Sequence, residues 1–142
     1  MMNLHSDTDK IETLICLESL LDLCYQALAG LVHNQTVRKE CQQFEEHAQY
    51  RQEELKKIFS LSQENEDNIE NKIDKYVLKL KPLHLPMRAL INLAINLTAF
   101  KIDIYKHLCH MVENYHELLD NFLEENIEEI DFFASGKEIP SK

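Results

Sequence analysis

Sharp turns are scarce in this chain: its only strong helix breakers are two glycines and three prolines. Together with abundant Leu, Glu, Lys and Ile, that scarcity predicts long helices joined by few turns, an all-α fold. The 142 residues suffice for one hydrophobic core and are too few for two ordinary domains, so residues 1–142 are expected to form a single domain. Its core should span about 9–134, with 135–142 as a frayed tail.

The apolar spacing places the helices. A first helix should start after Ser6 or Thr8, either of which can cap it, and run through Ile11, Leu14, Leu17, Leu21, Leu28 and Leu31. Its polar residues, Glu12, Glu18, Ser19, Asp22 and Gln26, crowd onto a narrow sector, leaving an apolar sector wider than one neighbour covers. Gly30 and the HNQT stretch at 33–36 make a short turn. The second helix, roughly Gln35 to Phe59, carries Val37, Cys41, Phe44, Ala48, Leu55 and Ile58 along one seam, and Arg51 fills the one vacant step. So short a turn makes the two helices an antiparallel hairpin.

Residues 60–85 separate this hairpin from the next long helix, with Ile69, Ile73, Tyr76, Val77 and Leu80 spaced as a short amphipathic helix. A third helix opens at Pro86 and its apolar phase continues through Tyr105, Leu108, Val112, Tyr115, Leu119 and Phe122. One unbroken helix to Phe133 would be about 70 Å long, too long for a domain of this size. A break is therefore expected at Asn114, where Asn114 and Glu117 have the spacing of a capping box, with a fourth helix to about Ala134. The expected architecture is an antiparallel four-helix bundle: two helical hairpins joined by a long crossover that contains a short helix.

Polar residues interrupt the seams at mid-bundle. Glu18 lies sixteen residues before Asn34 and Arg51 seventeen after it, so the hairpin brings them level as a carboxylate–guanidinium pair. Around Asn114, Thr98 stands level with Glu129 and Lys101 with Asn126, and all four fall on or beside apolar faces. The alternative for Arg51 and Lys101 is that they bury their stems and reach water with their charged ends.

Charge and cysteine usage narrow the function classes. The net charge of −10, with no compensating basic patch, argues against nucleic acid and anionic membrane surfaces as partners. The N-terminus lacks an apolar signal core, and the apolar run Ala89 to Phe100 is interrupted by Asn92 and Asn96, so a soluble cytoplasmic protein is expected. Cys16, Cys24, Cys41 and Cys109 form no C-x-x-C pair and read as buried thiols.

Two hairpins, a long crossover and polar residues at mid-bundle resemble the ferritin-like superfamily, in particular its rubrerythrin-like branch, over about Ile11 to Phe133. In that family a Glu on each of two helices and a Glu-x-x-His on each of the other two hold a di-iron centre. By this resemblance Glu18 takes the place of the first Glu, with Tyr25 at the family's spacing in LESLLDLCYQAL. The family's His falls at Arg51 and its Glu at Ala48. Thr98 stands in the place of the third-helix Glu, Tyr105 in that of the Tyr, and the last Glu-x-x-His becomes Asn126 and Glu129. Five of the six ligands are thus changed, and an arginine cannot deprotonate to ligate iron.

The resemblance therefore implies the fold without the oxidase chemistry. The expected site is a mid-bundle polar network of Glu18, Arg51, Thr98, Lys101, Asn126 and Glu129, with no catalytic residue, metal or cofactor. The expected role is a small structural or protein-interaction module, a homo-oligomer such as a dimer or bound to a protein partner, because of the wide apolar sector of the first helix. The rival is a divergent iron- or zinc-binding member with oxidase or metal-handling activity, using Glu18, His47 and Glu129, or a surface site at His107, His110 and Glu113. A small-molecule binder would need an interior cavity. The acidic run EENIEEID, residues 124–131, reads as a solvated face, and no phosphate-cradling loop or nucleophile elbow is present.

Overall fold

A computed structural model of the chain describes residues 4–135, which form five α-helices and no strand. They are α1 (Leu4–Leu31), α2 (Gln35–Ile58), α3 (Gln63–Leu80), α4 (Met87–Met111) and α5 (His116–Ala134), with short 3-10 turns at Pro82–His84 and Glu113–Tyr115. Most of the expected tail, 136–142, lies outside the described residues.

Local chemistry explains most of the boundaries. Asn34, with extended backbone, caps α2 by accepting from the Thr36 and Val37 amides at 2.9 and 3.2 Å. Ser62 and Asn65 form a reciprocal capping box at the start of α3, and Lys81 closes that helix with φ 48°, a left-handed conformation. Two expected boundaries fall differently. The first helix already begins at Leu4, so Ser6 and Thr8 lie inside it. The break between the third and fourth long helices falls at residues 112–115 as expected, but Tyr115 is the N-cap of α5 and no side chain caps it. A 3-10 turn, Glu113–Tyr115, stands between the two helices in place of an Asn114–Glu117 capping box.

Helix α1 is the central element. Leu14, Leu20, Leu21, Leu28, Cys16, Cys24 and Tyr25 are essentially inaccessible over about half of its circumference, because α2, α3 and α4 all pack against it. Each fully buried Leu contributes about 2 kcal/mol of transfer free energy. The expected polar strip of α1 is partly covered as well: Glu12 accepts hydrogen bonds from Asn65 at 2.9 Å and Lys72 at 3.3 Å, both on α3. The apolar sector that suggested self-association is thus covered within the chain. The segment Asp7–Leu31, and not Ala89 to Phe100, is the long apolar stretch that by length and composition could cross a membrane, and more than half of it is buried inside this fold.

The apolar core is divided into two halves. One gathers Cys24, Leu28, Cys41, Phe44, Leu90, Ala94 and Phe133, and the other Ile11, Leu14, Leu55, Ile69, Leu108, Leu119 and Phe122. Along α2 the order is Phe44, Arg51, Leu55; along α4 it is Leu97, Lys101, Leu108; along α5 it is Phe122, Glu129, Phe133. A layer of buried charge lies between the two halves.

Candidate functional site: a buried charge layer

Arg51 is fully buried and sits at the centre of this layer. Its Nε donates to Glu18 Oε2 at 2.7 Å and its Nη2 to Glu18 Oε1 at 3.1 Å, a two-pronged contact between α2 and α1. From α5, Glu129 Oε2 accepts from Nη1 at 2.8 Å and Glu129 Oε1 from Nη2 at 3.2 Å. Glu125 Oε1 accepts from Nη1 at 2.9 Å. A guanidinium has five N–H donors, and all five are used.

Glu18 is equally saturated. Besides the two bonds from Arg51, its Oε1 accepts from Lys101 Nζ at 2.8 Å and its Oε2 from the Tyr105 hydroxyl, both on α4. Four donors meet about four lone-pair positions. Glu129 Oε1 also accepts from the Tyr25 hydroxyl at 2.6 Å. Glu18, Glu129, Arg51 and Lys101 are each at most 1% exposed, so the fully buried formal charges cancel, with Glu125 adding a carboxylate at the partly solvated rim.

The electrostatics follow from these contacts. Burial alone would raise the Glu18 pKa, but the neighbouring charges and hydrogen bonds of Arg51 and Lys101 outweigh it and hold the carboxyl at about 2. Burial opposes the Arg51 charge as well, and Glu18 and Glu129 more than offset it, driving the guanidinium well above its ordinary value. Lys101 goes the other way: desolvation outweighs the carboxylates and lowers its pKa. Burial and the adjacent carboxylates push Tyr25 and Tyr105 far up, so both remain protonated donors. Cys16, Cys24 and Cys41 are buried free thiols whose pKa burial pushes up to about 11, 12 and 12, which disfavours the thiolate.

Of the expected network, Glu18, Arg51, Lys101 and Glu129 are brought together, and neither Arg51 nor Lys101 reaches water. Thr98 and Asn126 are buried but do not join it by hydrogen bonds. Thr98 Oγ1 donates to Ala94 O at 2.7 Å and Asn126 Nδ2 to Phe122 O at 2.7 Å, each one turn back on its own helix, and Asn126 Oδ1 has no partner. The α4 cation at the site is Lys101, one turn beyond Thr98.

Tyr25, Tyr105 and Glu125 are members that the charge pattern does not single out. Two signals point to them: the tyrosines sit seven residues after Glu18 and Thr98, and Glu125 precedes Glu129 by one helical turn.

The expected metal groupings are rearranged. Ligand atoms of His47, Glu125 and Glu129 lie within 4.8 Å of one another, whereas Glu18 faces the other side of Arg51 and is not part of that group. His107 Nε2 lies 3.6 Å from Asp7 Oδ1, beyond hydrogen-bond reach, and His110 is exposed; the third member of that expected surface site, the Glu113 side chain, lies outside the described residues. A separate group forms where α4 meets α5, from Cys109, His116 and Asp120.

Comparison with protein-family models, curated proteins and solved structures returns no match.

Proposed function

We propose that this chain is a ferritin-like four-helix bundle, two antiparallel hairpins with α3 in a long crossover, whose di-iron position is taken over by a charge layer, and that it serves as a non-catalytic structural or protein-interaction module of the cytoplasm. The observation that carries this is the double saturation at the centre: five of five Arg51 donors and about four of four Glu18 acceptor positions are occupied by each other, Lys101, Tyr105 and the α5 carboxylates. A ligand with no free lone pair takes up a metal only by giving up existing bonds. A divalent ion would also stand beside a guanidinium that cannot lose its charge.

The metal-handling alternative draws on the proximity of His47, Glu125 and Glu129. Both of its carboxylates already accept from Arg51 Nη1, at 2.9 and 2.8 Å, so an ion there competes with a fixed cation for the same oxygens. For an interaction role, the exposed apolar side chains Leu78, Leu83 and Phe100 are the points at which a second copy or another protein would find apolar contact.

The test is anaerobic incubation of the untagged protein with ferrous iron, desalting and elemental analysis, alongside light scattering for the number of copies. The expected result is iron well below one equivalent per chain. Near-stoichiometric iron that is lost in His47→Ala would overturn the proposal and establish the metal-handling alternative.

A further inference from the structure

Far from the charge layer, the end of α4 and the start of α5 bring three side chains of different ligand chemistry to one point. The Cys109 thiol, half-buried in the last turn of α4, donates to Asp120 Oδ1 at 3.5 Å. His116 Nε2 stands 3.3 Å from Asp120 Oδ2, His116 and Asp120 being one turn apart on α5. The sulfur, the imidazole nitrogen and the carboxylate oxygen all lie within 4.8 Å of one another.

Those separations have a chemical meaning. Zinc bonds of about 2.3 Å to sulfur, 2.0–2.1 Å to nitrogen and 2.0–2.2 Å to oxygen, set at tetrahedral angles, place the ligand atoms about 3.3–3.6 Å apart. The thiol faces Asp120 Oδ1 at 3.5 Å and the imidazole faces Asp120 Oδ2 at 3.3 Å, so the carboxylate stands between the other two donors, and with all three ligand atoms within 4.8 Å of one another a shift of about 1 Å or less brings them to zinc spacing.

A second feature points the same way. His116 Nδ1 lies 3.1 Å from the carbonyl oxygen of Cys109, which can only accept, so Nδ1 carries the proton. This carbonyl is one of the last-turn acceptors that α4 leaves unpaired within the helix. With Nδ1 so held, Nε2 is the ring atom turned toward the carboxylate, where either a proton or a metal cation can stand between them. Donating the remote ring N–H to a backbone carbonyl is also the outer-shell contact that orients metal-binding histidines.

We propose that Cys109, His116 and Asp120 form a site for a divalent cation of the zinc type, clamping α4 to α5. Sulfur, nitrogen and oxygen donors in one tetrahedral corner suit zinc over magnesium or calcium, which prefer all-oxygen shells. Among the described residues no fourth side chain joins the three, so water completes the tetrahedron. The ion replaces the thiol proton, which leaves to solvent as the thiolate–zinc bond forms. Arg51 and Glu18 take no part, so the site stands whatever the role of the charge layer.

The full chain titrated with Co(II), and with Zn(II) against a chromophoric chelator, tests this. The expected result is one ion per chain, a thiolate-to-cobalt charge-transfer band, and release of the thiol proton on zinc binding in weakly buffered solution. Cys109→Ser abolishes the band. His116→Ala, at a side chain 58% exposed and with its fold checked by circular dichroism, weakens zinc binding by about 100-fold or more, while the double variant His107→Ala, His110→Ala binds as the wild type does. Absence of saturable binding at about 100 μM zinc, or binding that His116→Ala leaves intact, would overturn the assignment.

Discussion

Replacing Arg51 with alanine should be among the most damaging single changes this fold can suffer, and the contacts say why. The substitution removes five hydrogen bonds at once, to Glu18, Glu125 and Glu129. The three carboxylates are not left equally exposed to the loss. Glu125 is 31% exposed and turns to water, and Glu18 keeps Lys101 and Tyr105, but Glu129 keeps only the Tyr25 hydroxyl in a place water does not reach. Stranding one partner of a buried ion pair costs about 3–5 kcal/mol, against a total stability of about 5–15 kcal/mol for a domain of ordinary size. At about 3 °C per kcal/mol for a chain of this length, the melting temperature should fall by about 9–15 °C. Circular dichroism during heating and urea unfolding at neutral pH measure both quantities. Two companion results locate the cause. The deficit should shrink as the pH is lowered toward about 5, because carboxylates deprived of the guanidinium take up protons in the folded state. The charge-balanced double variant Arg51→Met, Glu129→Gln should regain most of the loss, since it leaves Glu18 paired with Lys101. An Arg51→Ala protein that melts within about 2 °C of the wild type would refute the reasoning.

Acid unfolding tests Glu18 directly. Its folded pKa of about 2 lies below the ordinary 4.5, so its contribution is complete above about 4.5 and is lost as the pH falls toward 2; the magnitude is about 3 kcal/mol at 1.36 kcal/mol per pH unit. Glu18→Gln should start less stable at neutral pH and lose less between about pH 5 and 2, and parallel acid profiles for the two proteins would contradict this. For Lys101, whose charge burial disfavours, Lys101→Met should cost about 1–2 kcal/mol, less than the loss in Arg51→Ala; equal losses in urea titrations would mean that the ammonium is as necessary as the guanidinium.

Much of this site was legible because helical register is arithmetic. Counting from Asn34 places Glu18 beside Arg51, and the structure puts 2.7 Å between them. The same counting around Asn114 finds Lys101 and Glu129 but misassigns Thr98 and Asn126, because short polar side chains can satisfy themselves on the preceding turn of their own helix. Glu125 was hidden by its neighbours: in EENIEEID it reads as solvated surface, and only the packing of α5 over Arg51 turns it inward. The apolar circumference of α1 was visible, but what covers it was not. One helix spacing pattern cannot distinguish burial by a second copy from burial by α3, whose place is fixed by Ile69, Ile73 and the Glu12 contacts.

The division of the charges between the two halves of the chain gives assembly a direction. Glu18 on α1 and Arg51 on α2 form a neutral pair within the first half of the chain, so these two helices can match their charges without the second half. The second half has no such freedom, because the carboxylate that Lys101 bonds is Glu18 and the cation that Glu129 bonds is Arg51, on α1 and α2. A nascent chain ending near Leu80 would already display the charges that α4 and α5 must match, and the N-terminal half then serves as the mould in which the C-terminal half sets.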